Sequence, residues 1–284
     1  VTLTATASAV EGGVITYTAS VTAPVTGTPL VISLANGQTI TIPVNASSGS
    51  VDFTAPNNVY NTNTPVTNSI TGVTGGNYEK LETAGEPSTV VNDDPAKLDS
   101  TGLTLTATGT VQEGGEIVYT AKLTNPAGTE MKITLSNGEV ITIAKGLSEG
   151  SVTVPAPANT VYVDAGNVSV TVTGTTGGDF EKLDVSPTAA VTAVTDSIDT
   201  STVTLTATAS AVEGGVITYT ASVTAPVTGA PLVITLANGQ SITIPVNGSS
   251  GSVDFVAPNN VYNTNTPVTN SITGVTGGNY EKLE

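Results

Sequence analysis

Polar and apolar residues alternate one for one along much of this chain. In VTLTATAS, residues 1–8, Val1, Leu3, Ala5 and Ala7 share one face while Thr2, Thr4, Thr6 and Ser8 share the other. That is the period of a strand with one buried face. The same period recurs in VITYTASV, with Ile15, Tyr17, Ala19 and Val21 inward, and in PLVISL, TITIPV, SVDFTA and VTNSITGV; NYEKLE then closes the unit as a seventh strand. Turn residues separate these segments: Gly12-Gly13, Asn36-Gly37, Ser48-Gly49, Asn57-Asn58 and Gly75-Gly76. Asn-Gly is the strongest hairpin signal of the set. No segment sustains a 3.6-residue period. Seven short antiparallel strands in about 90 residues predict an immunoglobulin-like β-sandwich, with a closed barrel as the other solution. Asn68 breaks the pattern, standing in the phase of Val66 and Ile70 where the middle copy has Val170. It reads as a strand-end or bulge Asn bonding the backbone, because buried polar groups find partners.

The unit is present three times. Residues 1–82 align with 203–284 without a gap and differ at five positions: Thr28/Ala230, Ser33/Thr235, Thr39/Ser241, Ala46/Gly248 and Thr54/Val256. The middle copy starts near Leu103 and is more diverged, with one deletion and one insertion in its loops. A period near 100 residues is too long for a solenoid unit and suits a self-contained domain. The expectation is an all-β chain of three tandem immunoglobulin-like antiparallel sandwiches, with repeats at 1–92, 93–194 and 195–284.

Composition narrows the function. The chain has 7 Lys, no Arg, His, Cys or Trp, and 23 acidic residues, for a net charge of -16. Phosphate recognition needs clustered cations, so nucleic acid is excluded as a partner, and anionic membrane surfaces are disfavoured for the same reason. No run of about 18 apolar residues is present to span a bilayer. Multivalent cations are the natural counter-charge. The absence of Cys fits an extracellular protein that does without disulfides and a cytosolic one equally.

Catalytic chemistry finds little to work with. Ser and Thr abound, but a nucleophile needs an adjacent base. Asp52 and Asp254 lie on an outward strand face where the middle copy has Thr153, the setting of a solvated carboxylate. A sugar-cleaving site wants aromatic platforms beside its two acids, and aromatics make up 4% of the chain. The Gly-Gly pairs lack phosphate-loop spacing and are turns.

The acids themselves are placed systematically. Glu11, Glu113 and Glu213 stand in the loop between the first two strands of each copy, in the phrases AVEGG, VQEGG and AVEGG. Glu79, Asp179 with Glu181, and Glu281 follow the second Gly-Gly turn. Asp93, Asp94 and Asp99 occupy the first linker, Asp196 and Asp199 the second. With an odd strand number, the first turn and the exit of the last strand share the pole where the linker joins the next domain, so these carboxylates converge at the junctions. Like charges so close repel unless neutralised. Calcium fits, taking six to eight oxygen ligands from carboxylates, carbonyls and amides, whereas the nitrogen and sulfur ligands of zinc are missing. The alternative is that the acids only keep the surface soluble; their presence in the same loops of all three copies favours the ion over it. At the first junction the expected set is Asp93 and Asp94 with Glu113 from the next domain, whose turn is taken to face back along the chain. Glu79 of the preceding domain joins them, or Glu11, the weaker candidate because the assigned strands put it at the opposite pole of its own domain.

The phrases VTLTATASAVEGGVITYTA, LANGQTITIPVNASSGSV and VTGGNYEKLE resemble the tandem extender repeats of large bacterial RTX-type biofilm adhesins. The resemblance implies immunoglobulin-like domains, calcium at the junctions, type I secretion, attachment at the outer membrane, and a stiff stalk projecting a distal adhesive module. Asn92-Asp93-Asp94-Pro95 also echoes cadherin linkers, with Glu113 placed like their first-loop Glu, while the second linker, TDSIDT, departs from that pattern. The expected partners are calcium ions and neighbouring repeats of the same chain, with no membrane insertion and a monomeric state. A module that contacts a surface or glycan directly is the competing reading. A chain with so little catalytic chemistry should release no reducing ends from any polysaccharide; turnover that survives purification and depends on a single carboxylate would sink that expectation.

Overall fold

The computed structural model describes residues 1–284. All regular structure is β, without helices, in small mostly antiparallel sheets. The chain divides into two compact units. One comprises Val1–Thr106, Thr120–Val152 and Thr171–Ala189; the other comprises Ala107–Tyr119, Thr153–Val170 and Ala190–Glu284.

In the first unit, the first repeat runs through β1 (Thr2–Ala5), β2 (Ser8–Val10), β3 (Val14–Ser20), β4 (Leu30–Leu34), β5 (Thr39–Ile42), β6 (Ser48–Thr54), β7 (Thr64–Thr67), β8 (Ile70–Thr74) and β9 (Ser88–Asn92). Two antiparallel sheets, β1-β3-β6 and β5-β4-β8, supply the inward residues that alternation marked out. Ile15, Tyr17 and Ala19 from β3, Leu30, Ile32 and Leu34 from β4, and Ile40 and Ile42 from β5 meet in one buried cluster with Leu3 and Val91. Each such aliphatic side chain is worth about 1.5–3 kcal/mol on full burial. The second unit repeats the scheme in the third repeat, with sheets built from Val203–Ala207, Val216–Val223 and Ser250–Val256, and from Ser241–Ile244, Leu232–Leu236 and Ile272–Thr276. Asn68 behaves as read: its Oδ1 accepts from the backbone N–H of Asn36 at 3.2 Å and of Ser69 at 3.0 Å, beside the register shift between Ser33 and Leu34.

Several features depart from the sequence reading. VTNSITGV, read as one strand, is split at Asn68 and Ser69 between β7, which pairs with β9, and β8, which pairs with β4. The segment NYEKLE is no regular strand in the first repeat, where it is followed by a single parallel bridge between Thr2 and Ala84. Its counterparts do form strands: Lys182–Val185 runs parallel to β10 (Ser100–Ala107), and Lys282–Leu283 parallel to Thr200–Ser201. Beyond it lies a strand that alternation did not reveal. β9 lies between β2, to which it is parallel, and β7, to which it is antiparallel. Ala190–Thr195 does the same between β11 (Thr110–Gln112) and Asn167–Val170. In STVVN the adjacent valines blur the period, and of the inward pair Thr89 and Val91 one is polar.

The first ten residues therefore serve two sheets. β1 pairs with β3, but at Thr6 and Ala7 the chain crosses over, so that β2 pairs with β9 instead. Thr89 holds the crossover by donating its hydroxyl to the Thr6 carbonyl at 2.6 Å. The core assignment is checked by urea denaturation. Ile32→Ala, at a fully buried position, should cost about 2–5 kcal/mol, whereas Val14→Ala, exposed on the same sandwich, should stay within about 0.5 kcal/mol of the parent.

Candidate metal centres at the repeat junctions

The parallel pairing of first and last segments decides where the acids go. Residues 82–92 run alongside residues 1–10 in the same direction, so the chain leaves the first repeat beside the turn that follows β2. Glu11 opens that turn, its N–H donating to the Asn92 carbonyl at 2.9 Å. Gly12 takes φ +65, a value disfavoured for residues with a Cβ, and its N–H reaches the Ala55 carbonyl at 3.2 Å. The turn thus fixes Glu11 next to the start of the linker, where the side chain is 8% exposed.

The next repeat contributes from its own parallel pair. Ser100 lies opposite Lys182, which puts Asp99 against Glu181; the Asp99 N–H donates to Glu181 Oε2 at 2.8 Å. Carboxylate oxygens of Glu11, Asp99 and Glu181 all lie within 4.8 Å of one another. Two amides brace them: Asn57 Nδ2 donates to Asp99 Oδ2 at 2.6 Å, and Asn58 Nδ2 donates to Glu11 Oε1. Asp93 and Glu181 also line one cleft of about 310 Å³ with Asn61 and Asn63.

The second unit builds a matching group from Glu113, Asp196 and Glu281, again with oxygens within 4.8 Å of one another. The Glu113 N–H donates to the Thr195 carbonyl at 3.0 Å, and the Asp199 N–H to Glu281 Oε2 at 2.5 Å. Asn159 donates to Asp199 at 2.7 Å, the role Asn57 has at the first group. The linkers differ in length, Asp93–Asp99 against Asp196–Asp199, yet each begins and ends on an aspartate beside the cluster. The extra residues of the first form a local turn in which Asp94 Oδ1 accepts from the Ala96 N–H at 3.0 Å.

Neither group contains a cationic side chain. Burial, above all, with the neighbouring Glu181 and Asp93, pushes the Glu11 carboxyl up from its ordinary value. Burial first, then Asp164 and Asp196, does the same to Glu113. Four carboxylate oxygens, Asp93 Oδ1, Glu113 Oε2, Glu181 Oε1 and Glu281 Oε1, are buried without a hydrogen-bond partner. Buried charges left this way are costly unless paired or bound to metal. The hard oxygen donor set suits calcium and offers nothing to softer metals.

The structure redistributes the expected residues. Glu113 does not turn back to Asp93 and Asp94; it serves the second junction, and Glu11 takes the place expected of it at the first. The reason is the crossover: the first strand of each repeat traverses the whole domain, so the turn after it sits at the outgoing end. Asp94 is engaged in its own turn. Glu79 and Glu213 are exposed and belong to neither group, one preceding the first junction and the other following the second. Asp179 contributes its carbonyl, to the Asn61 N–H at 3.0 Å, with φ +58.

Aromatic contacts beside each group were not anticipated. Tyr60 stacks on Phe180 with ring centroids 5.8 Å apart, its hydroxyl donating to the Pro126 carbonyl at 2.9 Å. Tyr162 meets Tyr280 at 5.5 Å and donates to Pro226 at 2.7 Å. The available signal was a repeated Val-Tyr in an otherwise polar Asn/Thr loop.

The model of the LapA domain matches residues 1–94, 99–197 and 199–284. The chain belongs to the LapA domain family. LapA is a large biofilm adhesin, so this LapA-domain chain is related to biofilm adhesins, and a cell-surface location goes with the family. Family and all-β repeat fold together point to a structural rather than a catalytic protein. Among solved structures, Escherichia coli alpha-2-macroglobulin activated by porcine elastase aligns with 89% of this chain and 29% of its own, at 11% identity and a TM-score of 0.27. A search of curated proteins finds no match.

The raised carboxyls set a pH dependence. Between the ordinary value of 4.5 and the raised folded value, the folded state of the metal-free protein binds more protons than the unfolded state, so stability falls as pH rises through that window. Melts in chelator should show this decline as pH rises from 4.5 through the raised folded values of Glu11 and Glu113. In the double variant Glu11→Gln, Glu113→Gln it should be shallower; an unchanged slope would remove these two groups as its source.

Proposed function

We propose that this chain is an extender segment of a cell-surface biofilm adhesin of the RTX type. In this reading its three immunoglobulin-like repeats, 1–92, 93–194 and 195–284, act as a spacer, calcium stiffens their junctions, and the array carries a distal adhesive module away from the outer membrane. The observation that carries the calcium reading is the pair of carboxylate clusters with partnerless buried oxygens. At the first junction Glu11, Asp93, Asp99 and Glu181 would hold the ion; at the second, Glu113, Asp196, Asp199 and Glu281. The spacer reading is supported by repetition itself, since the first and third repeats differ only by small residues at five positions. A dedicated binding module would call for an insertion or aromatic platform peculiar to one copy.

Bound calcium would lower the repulsion within each cluster and tie a linker to the repeats on both sides. Extracellular calcium modules bind with Kd of about 10⁻⁴ to 10⁻³ M, so millimolar calcium should add roughly 1 kcal/mol per site by mass action. Thermal melts and small-angle scattering with calcium or chelator test the idea. The parent should gain stability and extension with calcium, and Glu11→Gln with Glu181→Gln should lose the share of one site. Asp93→Asn should weaken uptake more than Asp94→Asn, because the Asp94 carboxylate is occupied by its own turn. The control Asp52→Asn, whose carboxylate accepts from the Thr16 hydroxyl on the open face of its sheet, should behave as the parent. If the control matches the cluster variants, diffuse surface charge is the better account.

A further inference from the structure

The two junctions share one frame and differ by one charge. At the first, the Asn61 N–H donates to the Asp179 carbonyl at 3.0 Å and the Glu181 N–H to the Val59 carbonyl at 3.1 Å. At the second, Val163 donates to Asn279 at 3.0 Å and Glu281 to Val161 at 3.1 Å in the same way. Two residues after the tyrosine of this loop stands Thr62 in the first repeat, Asp164 in the second and Thr264 in the third. The middle copy alone therefore places a carboxylate at this point.

Asp164 is held beside the second acidic group. Thr160 Oγ1 donates to Asp164 Oδ1 at 3.1 Å, and the next residue, Ala165, donates its N–H to Asp196 Oδ1 at 2.8 Å. After burial, Asp164 is the strongest cause of the rise in the Glu113 carboxyl, ahead of Asp196, whose own oxygen lies within 4.8 Å of that of Glu113. Glu113 is 8% exposed and keeps Oε2 without a hydrogen-bond partner. Asp164 itself is exposed, so it brings its charge to the group without the loss of water that burial imposes. The linkers do not offset the difference. Asp93, Asp94 and Asp99 with Lys97 carry the same net charge as Asp196 and Asp199, and Asp94 is engaged by its own turn.

Resting on the calcium reading above, we propose that Asp164 adds a fifth carboxylate to Glu113, Asp196, Asp199 and Glu281, and that the second junction consequently fills at lower calcium than the first. Affinity of an oxygen site for calcium is tuned by the charge count of its ligands. One more carboxylate near a divalent ion at the protein surface raises affinity by about tenfold once salt screening is included. The junctions then stiffen in sequence as calcium rises, so the response is graded.

The test is a calcium titration of the 284-residue chain, starting in chelator and read by amide hydrogen exchange of the two linkers. Protection at 196–199 should appear at about tenfold lower calcium than protection at 93–99. Asp164→Asn retains the shape and an acceptor for the Thr160 hydroxyl, and should bring the two midpoints together. Thr62→Asp should lower the midpoint at 93–99 and leave that at 196–199 in place. In chelator Asp164→Asn should melt no lower than the parent, because a like charge has been removed; a lower melt would make Asp164 a structural residue and overturn the proposal. Midpoints that coincide in the parent, appear in reverse order, or stay apart in Asp164→Asn also overturn it while leaving the calcium reading intact. Absence of calcium-dependent protection at both linkers overturns the proposal and the calcium reading together.

Discussion

Parallel pairing between the first and last segments of each repeat is the constraint on which the junctions depend. A β-sandwich whose first strand pairs only antiparallel within one sheet could turn at either end. Here the opening segment pairs successively with β3 and β9, so it must traverse the domain, and the chain's exit is tied to the turn that follows. The same device at the start of the next repeat ties Asp99 to Glu181. Backbone hydrogen bonds, which are obligatory in a buried setting, thus bring together carboxylates separated by up to 170 positions, from Glu11 to Glu181.

Assembling those carboxylates opposes folding, because each loses water and gains like-charged neighbours. Asn57, Asn58 and Asn159 and the backbone N–H groups of Asp99 and Asp199 offset part of that cost. They leave other oxygens with nothing to accept. Aromatic ring contacts and the Tyr60 and Tyr162 hydroxyl bonds supply a neutral contact next to each cluster, one that does not depend on the charge state of the acids. Each junction therefore combines a contact insensitive to the charge of the acids with a group whose energetics turn on it.

The glycines follow the same logic. Gly75, Gly177 and Gly277 adopt φ between +77 and +87, and a Cβ at any of them would come within 2.2 Å of the carbonyl of Pro29, Glu130 or Pro231. The turn that delivers Glu181 and Glu281 to their clusters is closed against the backbone carbonyl just before the neighbouring strand of the sheet, so no other residue fits there.

Much of the fold was legible in the chain itself. Strict alternation in β1, β3, β4 and β5 named the core residues, Asn-Gly and Gly-Gly marked the turns, and self-similarity gave the threefold repetition, because those features are local and each is repeated. The chemistry of the site was legible too: oxygen donors only, in the same loops of every copy. What sequence could not decide was which acid meets which. Glu113 and Glu11 are equivalent by sequence, and only the crossover at Thr6 and Ala7, with the unrecognised strand Ser88–Asn92, assigns Glu11 to the first junction and Glu113 to the second. That strand escaped notice because its inward pair is a threonine and a valine, and a position's burial depends on a pairing partner more than 80 residues away, which no local pattern encodes.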